Sequence, residues 1–113
     1  MKLLTLFLFG IIISGSLSPA EQKIVTKYSP FYAGEIKVNI VKNITHNCSL
    51  EKQILVSGCY FRTNYIEIAD WNKGKEFERV LVHELTHWKY PKGGEVETAR
   101  RTKNMIDFIG SIL

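Results

Sequence analysis

The sequence predicts an α+β fold, with a small antiparallel or mixed β-sheet packed on two helices. Residues 35–41 alternate apolar and polar side chains, which is typical of a half-buried strand. Residues 59–69 form two β-type segments around a polar turn and predict a hairpin. Helical periodicity follows in 75–88 and 95–112. Strands that precede the helices, rather than alternating with them, are typical of the α+β class.

The same periodicities predict which side chains face the core. In the strands these are Ile36, Val38, Ile40, Ile66 and Ile68. In the first helix they are Phe77, Val80, Leu81, Leu85 and Trp88. In the second helix they are Val96, Ala99, Ile106 and Ile109. Between the helices, Pro91 and Gly93-Gly94 are expected to end the first helix and to turn the chain.

Residues 1–20 have the pattern of a signal peptide. Lys2 gives a positively charged start, and an apolar run occupies 3–13. Ser18 and Ala20 supply the small residues of a cleavage site, and the apolar run is short for a membrane span. We expect cleavage after Ala20, with an uncleaved anchor as the alternative. The remaining residues, 21–113, would form one domain that is secreted or periplasmic.

The charge of the chain is mildly basic, with 15 Lys and Arg against 11 Asp and Glu. These charges are scattered, and the densest group is Arg100-Arg101-x-Lys103. A nucleic-acid interface requires a denser basic stripe, so we expect no nucleic-acid partner.

Two cysteines, Cys48 and Cys59, are separated by ten residues. In an exported chain an even pair predicts a disulfide, which would constrain a small domain. Thiolate metal ligands are the alternative, but two sulfurs alone make a poor site.

The strongest functional motif is His83-Glu84-Leu85-Thr86-His87, a His-Glu-x-x-His sequence within the first helix. Residues four apart lie on the same face of a helix, so His83 and His87 can bind one metal ion. Glu84 lies beside them and could act as general base toward a water on that metal. The motif therefore predicts a Zn²⁺ site with a catalytic Glu84.

A catalytic zinc site needs a third protein ligand, and two carboxylates begin the second helix. Glu95 shares a helix face with apolar residues, where a carboxylate is unfavourable unless it is paired or binds metal. Glu97 shares its face with Arg101 and fits an ordinary acid in the first turn of a helix. Glu95 is therefore preferred as the third ligand, with Glu97 left open and His46 as a weaker rival.

Residues 80–88 resemble the active-site helix of zincin metallopeptidases, with uncharged residues flanking the His-Glu-x-x-His motif. Glu95-Val96-Glu97-Thr98-Ala99 is similar to the Glu-x-Glu-Ala segment of gluzincins, in which the first Glu binds the metal. Seven residues separate His87 from Glu95, which is shorter than is usual in gluzincins. The resemblance covers about 60–100, and the chain is similar to gluzincins of minimal size.

This resemblance implies an exported zinc metallopeptidase that binds a peptide or protein substrate. It also implies a substrate-pairing strand beside the active helix, for which 65–68 is the matching segment. Two alternatives remain open, a secreted zinc-binding interaction module without turnover and a cell-wall peptide amidase. Candidates for stabilising the transition state, by residue type alone, are Tyr60, Tyr65, Tyr90 and Arg100.

Overall fold

The structure, a computed structural model, describes residues 11–32, 34–44, 57–61 and 64–112. These residues form an α+β domain, as predicted, in which a four-stranded mixed sheet packs against helices. The strands are β1 (Ile11–Ser14), β2 (Ile36–Val41), β3 (Gly58–Tyr60) and β4 (Tyr65–Ala69). The helices are α1 (Pro19–Tyr28), α2 (Gly74–Lys89) and α3 (Glu95–Ile112), and a short 3₁₀ turn, Ser29–Phe31, follows α1.

The spatial order of the strands is β1-β2-β4-β3. β2 runs parallel to both β1 and β4, and β3 runs antiparallel to β4 in the predicted hairpin. β4 is therefore an interior strand with both edges paired. The expectation that residues 65–68 pair with a substrate is wrong for this reason, and β3 is the edge strand on that side of the described sheet.

The core forms between one sheet face and the helices. The predicted strand residues Ile36, Val38, Ile66 and Ile68 are fully buried there. Helices α1 and α2 cover this face, and the residues that they bury against it include Val25, Tyr28, Phe77, Val80, Leu81 and Leu85. The stripe predicted for α2 is thus confirmed, with Trp88 half-buried at its end. Helix α3 packs on α2 rather than on the sheet.

The C-terminal end of α2 is attached to the turn of the β3–β4 hairpin. The Trp88 indole N–H donates to the Asn64 side-chain oxygen at 2.9 Å. Asn64 has a φ of 57°, a left-handed conformation that asparagine tolerates better than most residues. This contact fixes the end of α2 relative to the sheet.

The inward face of α3 agrees with the prediction at Ile106 and Ile109 and differs from it in the first half of the helix. Val96 is 86% exposed and Ala99 is exposed, whereas Thr98 and Thr102 are buried together with Ile109. A prediction from apolar periodicity misses these threonines, because a threonine hydroxyl can be buried when it forms a hydrogen bond within the protein. The Thr102 hydroxyl donates to the Thr98 carbonyl at 2.7 Å, so its polar group is satisfied inside the helix pair.

The N-terminal part of the chain contains two elements that the sequence pattern does not predict. β1 pairs with β2, and α1 begins at Pro19, with the Ser18 side chain as its N-cap. Signal-peptide cleavage after Ala20 stays a prediction, and it would remove both β1 and this cap. No helix within the described residues is long and apolar enough to cross a membrane.

The predicted Cys48–Cys59 disulfide involves a residue outside the described part of the chain. Cys59 itself is buried on β3, opposite Glu67 of β4. The pairing with Cys48 stays a prediction.

The start of α2 is capped from α1. The residue before the helix, Lys73, provides no side-chain cap, and the Gly74 N–H donates instead to the Glu21 carboxylate at 2.9 Å. Glu21 is buried, and its pKa is lowered below the ordinary value. The hydrogen bond from the Gly74 N–H is the largest cause, and the hydrogen bond from the Ser18 side chain is the next. The ionised carboxylate therefore fixes the first turn of the helix that carries the His-Glu-x-x-His motif.

We expect Glu21→Gln to lower the free energy of unfolding at pH 7 by about 1–2 kcal/mol, because it weakens a charge-assisted cap. Since the folded pKa of Glu21 is lowered, its stabilisation is complete above the ordinary carboxyl pKa. It is lost as the pH falls through the folded pKa. Urea unfolding at pH 7 and at pH 3 measures this, with the exposed Glu35→Gln as matched control. An equal deficit at both pH values would contradict this role.

Candidate metal centre

Helix α2 places its two histidines as the sequence predicts. His83 and His87 lie one turn apart, with their ring centroids 4.8 Å from each other. Both are half-buried, because α3 packs along this side of α2. Burial, more than any neighbouring charge, lowers the pKa of His83, so its imidazole is neutral near pH 7. A neutral imidazole is the form that binds metal.

Glu95, the first residue of α3, completes a cluster of three ligand groups. One carboxylate oxygen lies 3.1 Å from His83 Nε2, and the other lies 3.0 Å from His87 Nε2. The turn between α2 and α3 brings Glu95 to the same level as both rings, and the Gly93 N–H donates to the Tyr90 carbonyl at 3.0 Å within it. The short spacing between His87 and Glu95 is therefore long enough to bring the Glu95 carboxylate to both imidazole rings.

The cluster has the composition and dimensions of a metal site. One ligand atom from each of the three residues lies within 4.8 Å of the others. Two ligands that each lie about 2.0–2.1 Å from a tetrahedral zinc ion are roughly 3.4 Å apart. The observed separations of 3.0–3.1 Å between the carboxylate and each ring are close to that value. His83, His87 and Glu95 therefore fit a metal ion bound by three protein groups.

Glu95 and Glu97 have different partners. Glu97 forms ion pairs with Arg100 and Arg101. Both interactions lower the pKa of Glu97, and the interaction with Arg100 contributes more. Only Glu95 joins the histidines. The reason given from the sequence is wrong, however, because the Glu95 side chain is 77% exposed rather than on a buried face.

Thr98 is a residue of the site that the sequence analysis missed. Its buried hydroxyl lies 3.4 Å from His87 Nδ1, the ring nitrogen that faces away from Glu95. In the tautomer of neutral His87 that carries its proton on Nδ1, the Nδ1–H donates to this hydroxyl. Nε2 is then unprotonated and can bind a metal. The sequence does contain a signal for Thr98. It follows Glu95 by three residues, so it lies one turn further along α3 on the same side of the helix.

Glu84 occupies a different environment from that of Glu95. It is only 8% exposed, beneath the edge strand β3, and the backbone N–H of Tyr60 faces its carboxylate. Burial and, to a smaller extent, the charge of Glu95 raise the pKa of Glu84 to about 8, and the Tyr60 N–H acts in the opposite direction. A carboxyl with a pKa near neutrality can both take and give a proton. The role of Glu84 as general base stays a prediction.

The close approach of β3 to α2 depends on Gly58. A Cβ at this position would lie 2.6 Å from Val80 Cγ1 and 3.3 Å from Glu84 Cγ. Val80 is buried and β-branched, so it has little freedom to move away. Glycine therefore allows the edge strand to lie directly over the helix that carries the motif.

Gly58→Ala is expected to lower the free energy of unfolding by about 1–3 kcal/mol, because the added methyl group overpacks the β3–α2 contact. Gly110→Ala is a matched control, since nothing lies within 4 Å of a Cβ there and alanine favours helix. Chemical unfolding of both variants measures the difference. Equal stability of the two variants would show that β3 does not lie against α2 as described.

The other candidate residues are distributed over the molecule. Of the four transition-state candidates, only Tyr60 adjoins Glu84, and it does so through its backbone. The Tyr65 hydroxyl donates to Glu67 at 2.8 Å, on the sheet. Tyr90 and Arg100 line a separate cavity that faces the other side of α3. His46 lies outside the described residues.

A cavity of about 330 Å³ adjoins the metal centre on the His83 side. Ala99, Thr102 and Ile106 of α3 form its largely apolar wall. Arg79 also lines it, together with Lys103 and Asp107, which form an ion pair with each other. This space is large enough for one apolar side chain of a bound molecule.

Comparison of the chain with protein-family models, with curated proteins and with solved structures gives no match.

Proposed function

We propose that this protein is a zinc-dependent peptidase. The observation that carries the proposal is the convergence of both His-Glu-x-x-His imidazoles on the Glu95 carboxylate, with a buried Glu84 on the same helix. Three protein ligands and an adjacent general base are the components of a catalytic zinc site rather than a structural one. The exposure of Glu95 also keeps one side of the site accessible to substrate.

Each residue has a role in the proposed reaction. His83, His87 and Glu95 would hold the zinc ion, and a bound zinc supplies Lewis acidity toward a water molecule and a substrate carbonyl. Glu84 accepts the proton of the attacking water and later donates it to the leaving amine. Its burial under β3 keeps the carboxylate away from bulk water, which favours proton transfer in both directions at neutral pH.

The edge strand β3 is suited to bind an extended peptide. Ser57 and Phe61 make their backbone hydrogen bonds to β4, through the Ser57 carbonyl and the Phe61 N–H. In an antiparallel pair the alternate residues direct their backbone groups outward, so those of Gly58 and Tyr60 face the opposite edge, where the Tyr60 N–H already meets the Glu84 carboxylate. No described strand pairs with that edge. A peptide added there would lie beside Glu84, with the cavity next to His83 available to one of its side chains.

The test is metal-dependent cleavage by the purified full chain. Zinc content is measured by mass spectrometry, and a peptide library and peptidoglycan fragments serve as substrates. We expect cleavage that disappears after chelation and returns with zinc. Cleavage confined to peptidoglycan fragments would favour the amidase alternative. Zinc binding without cleavage of any substrate would favour the interaction module, and a chain that binds no zinc would contradict all three functions.

A further inference from the structure

Thr98 differs from the other threonines of the described helices in the direction of its hydroxyl. Thr26, Thr86 and Thr102 each donate from the hydroxyl to the backbone carbonyl four residues earlier, at 2.7–3.1 Å. This is the common local hydrogen bond of a threonine within a helix. The Thr98 hydroxyl is directed instead at the ring of His87, with Oγ1 3.4 Å from Nδ1. Helix α3 therefore uses this hydroxyl for a contact with α2.

The position of this hydroxyl is fixed by its surroundings. Thr98 is 1% exposed, and its backbone N–H donates to the Gly94 carbonyl at 2.9 Å. Its own carbonyl accepts the hydrogen bond from the Thr102 hydroxyl at 2.7 Å. A β-branched side chain within a helix also has few rotamers available. The hydroxyl is therefore held beside the imidazole ring and has little freedom to turn towards solvent.

The two ring nitrogens of His87 face groups with different hydrogen-bonding capacity. Nε2 lies 3.0 Å from an oxygen of the Glu95 carboxylate, which can only accept. In the metal-free protein the proton of a neutral His87 ring is therefore expected on Nε2, and Nδ1 then accepts from the Thr98 hydroxyl. A metal bound at Nε2 requires the other tautomer, with the proton on Nδ1. A hydroxyl is suited to both tautomers, because it can donate and accept.

Ordinary packing would explain the burial of Thr98 but not the direction of its hydroxyl. A valine has nearly the same shape and would fill the same space without a polar group. A threonine that served only to pack would also satisfy its hydroxyl at the Gly94 carbonyl, as the other helical threonines do at theirs. The contact with Nδ1 is therefore the feature that needs a separate explanation.

We propose that Thr98 is the positioning residue of His87. Its hydroxyl donates to Nδ1 in the metal-free protein and accepts from the Nδ1–H when Nε2 binds a metal, so the ring keeps one orientation in both states. This inference rests on the metal centre of the proposed function, and it adds a residue that acts through one of the ligands. It concerns ring orientation and metal affinity, which are measured without peptide cleavage.

Nitrogen-15 NMR of the histidine rings tests the proposal on the metal-free protein. Protonated and unprotonated ring nitrogens have distinct chemical shifts, and at about pH 8.5 an ordinary imidazole is neutral. For the parent we expect a protonated Nε2 and an unprotonated, hydrogen-bonded Nδ1 in His87. Thr98→Val should move the Nδ1 shift towards that of a nitrogen without a hydrogen bond, and Thr98→Ser should restore it. A parental Nδ1 shift in Thr98→Val, or a proton on Nδ1 in the metal-free parent, would overturn the proposal.

Zinc affinity, measured by competition with a chelator, tests the metal-bound state. Thr98→Val should weaken zinc binding by about tenfold, the lower end of the range for groups that support a metal ligand, because the lost partner is a neutral hydroxyl. Thr98→Ser keeps the hydroxyl and should bind zinc like the parent. Thr102→Val is the matched control, since it makes the same change at a buried threonine whose hydroxyl bonds to a backbone carbonyl. It should also bind zinc like the parent.

The outcomes separate this proposal from the proposed function. Equal losses of zinc affinity in Thr98→Val and Thr102→Val would overturn the role of Thr98, as would a loss in Thr98→Ser as large as that in Thr98→Val. A parent that binds no zinc would overturn this proposal together with the metal centre. Zinc binding without cleavage of any substrate would contradict the peptidase function alone, and the expected order of zinc affinities would still support the role of Thr98.

Discussion

Glu84→Gln is expected to lower the rate of peptide cleavage by about 10²–10⁴-fold, the usual contribution of general acid–base catalysis. Glutamine has nearly the same shape as glutamate but cannot accept the proton of the attacking water. Zinc binding should persist, because Glu84 is not among the three clustered ligand groups. Stability should be kept or raised, since the variant removes a buried ionisable group whose pKa is already raised by burial.

The control for this variant is Glu76→Gln, at an exposed position in the first turn of the same helix. Its cleavage rate should match that of the parent. Zinc content and cleavage are measured on the same samples, so that loss of metal and loss of chemistry are separated. A Glu84→Gln protein that retains zinc and cleaves at the parental rate would exclude Glu84 as the general base.

Glu95→Ala is expected to weaken zinc binding by about 100-fold or more, since even groups that only support a metal ligand are worth 10–100-fold. The apo protein should keep its stability, because the Glu95 side chain is 77% exposed and packs against little. The measurement is a zinc competition titration with a chelator of known affinity. Thermal unfolding with excess zinc provides a second readout, because a bound ligand stabilises the folded state.

Glu97→Ala is the matched control, two residues along the same helix and bound to Arg100 and Arg101 instead. It should bind zinc like the parent. Reversed results, with zinc lost in Glu97→Ala and retained in Glu95→Ala, would show that the turn between α2 and α3 is arranged differently when the metal is bound.

The parts of the fold predicted correctly are those with strong local periodicity. The inward residues of β2, β4 and α2 follow directly from alternation and from helical spacing, because their apolar faces contact the core. His83 and His87 are predicted for the same reason, since helix geometry fixes their relative positions. These features depend on neighbours within a few residues.

The features that were missed depend on distant parts of the chain. The order of the strands is set by parallel pairing of β2 with β1 and β4, which no local pattern encodes. As a result, the edge beside the active helix was assigned to β4 rather than to β3. The cap that Glu21 provides to Gly74 joins residues 53 positions apart. The sequence gives no signal for such a pair.

The predicted face of α3 was wrong at Val96 and Ala99 for a chemical reason, whereas Ile109 is buried as predicted and Ile106 is partly buried. The pattern of apolar residues predicts that Val96 and Ala99 are buried. Thr98 and Thr102 are buried instead, because the Thr98 hydroxyl contacts His87 and the Thr102 hydroxyl donates to the Thr98 carbonyl. Glu95 nevertheless lies beside both histidines, and its role as third ligand stays a prediction. Its place in the cluster follows from its position at the N-terminal end of α3, close to the preceding turn, rather than from burial.

We propose that His83, His87 and Glu95 bind one zinc ion. A crystal structure of the zinc-loaded protein, with anomalous diffraction measured on both sides of the zinc absorption edge, tests this arrangement. We predict one anomalous peak within about 2.0–2.2 Å of His83 Nε2, His87 Nε2 and a Glu95 carboxylate oxygen. Absence of a peak at this position with zinc in excess, or a peak bound by other residues, would contradict it.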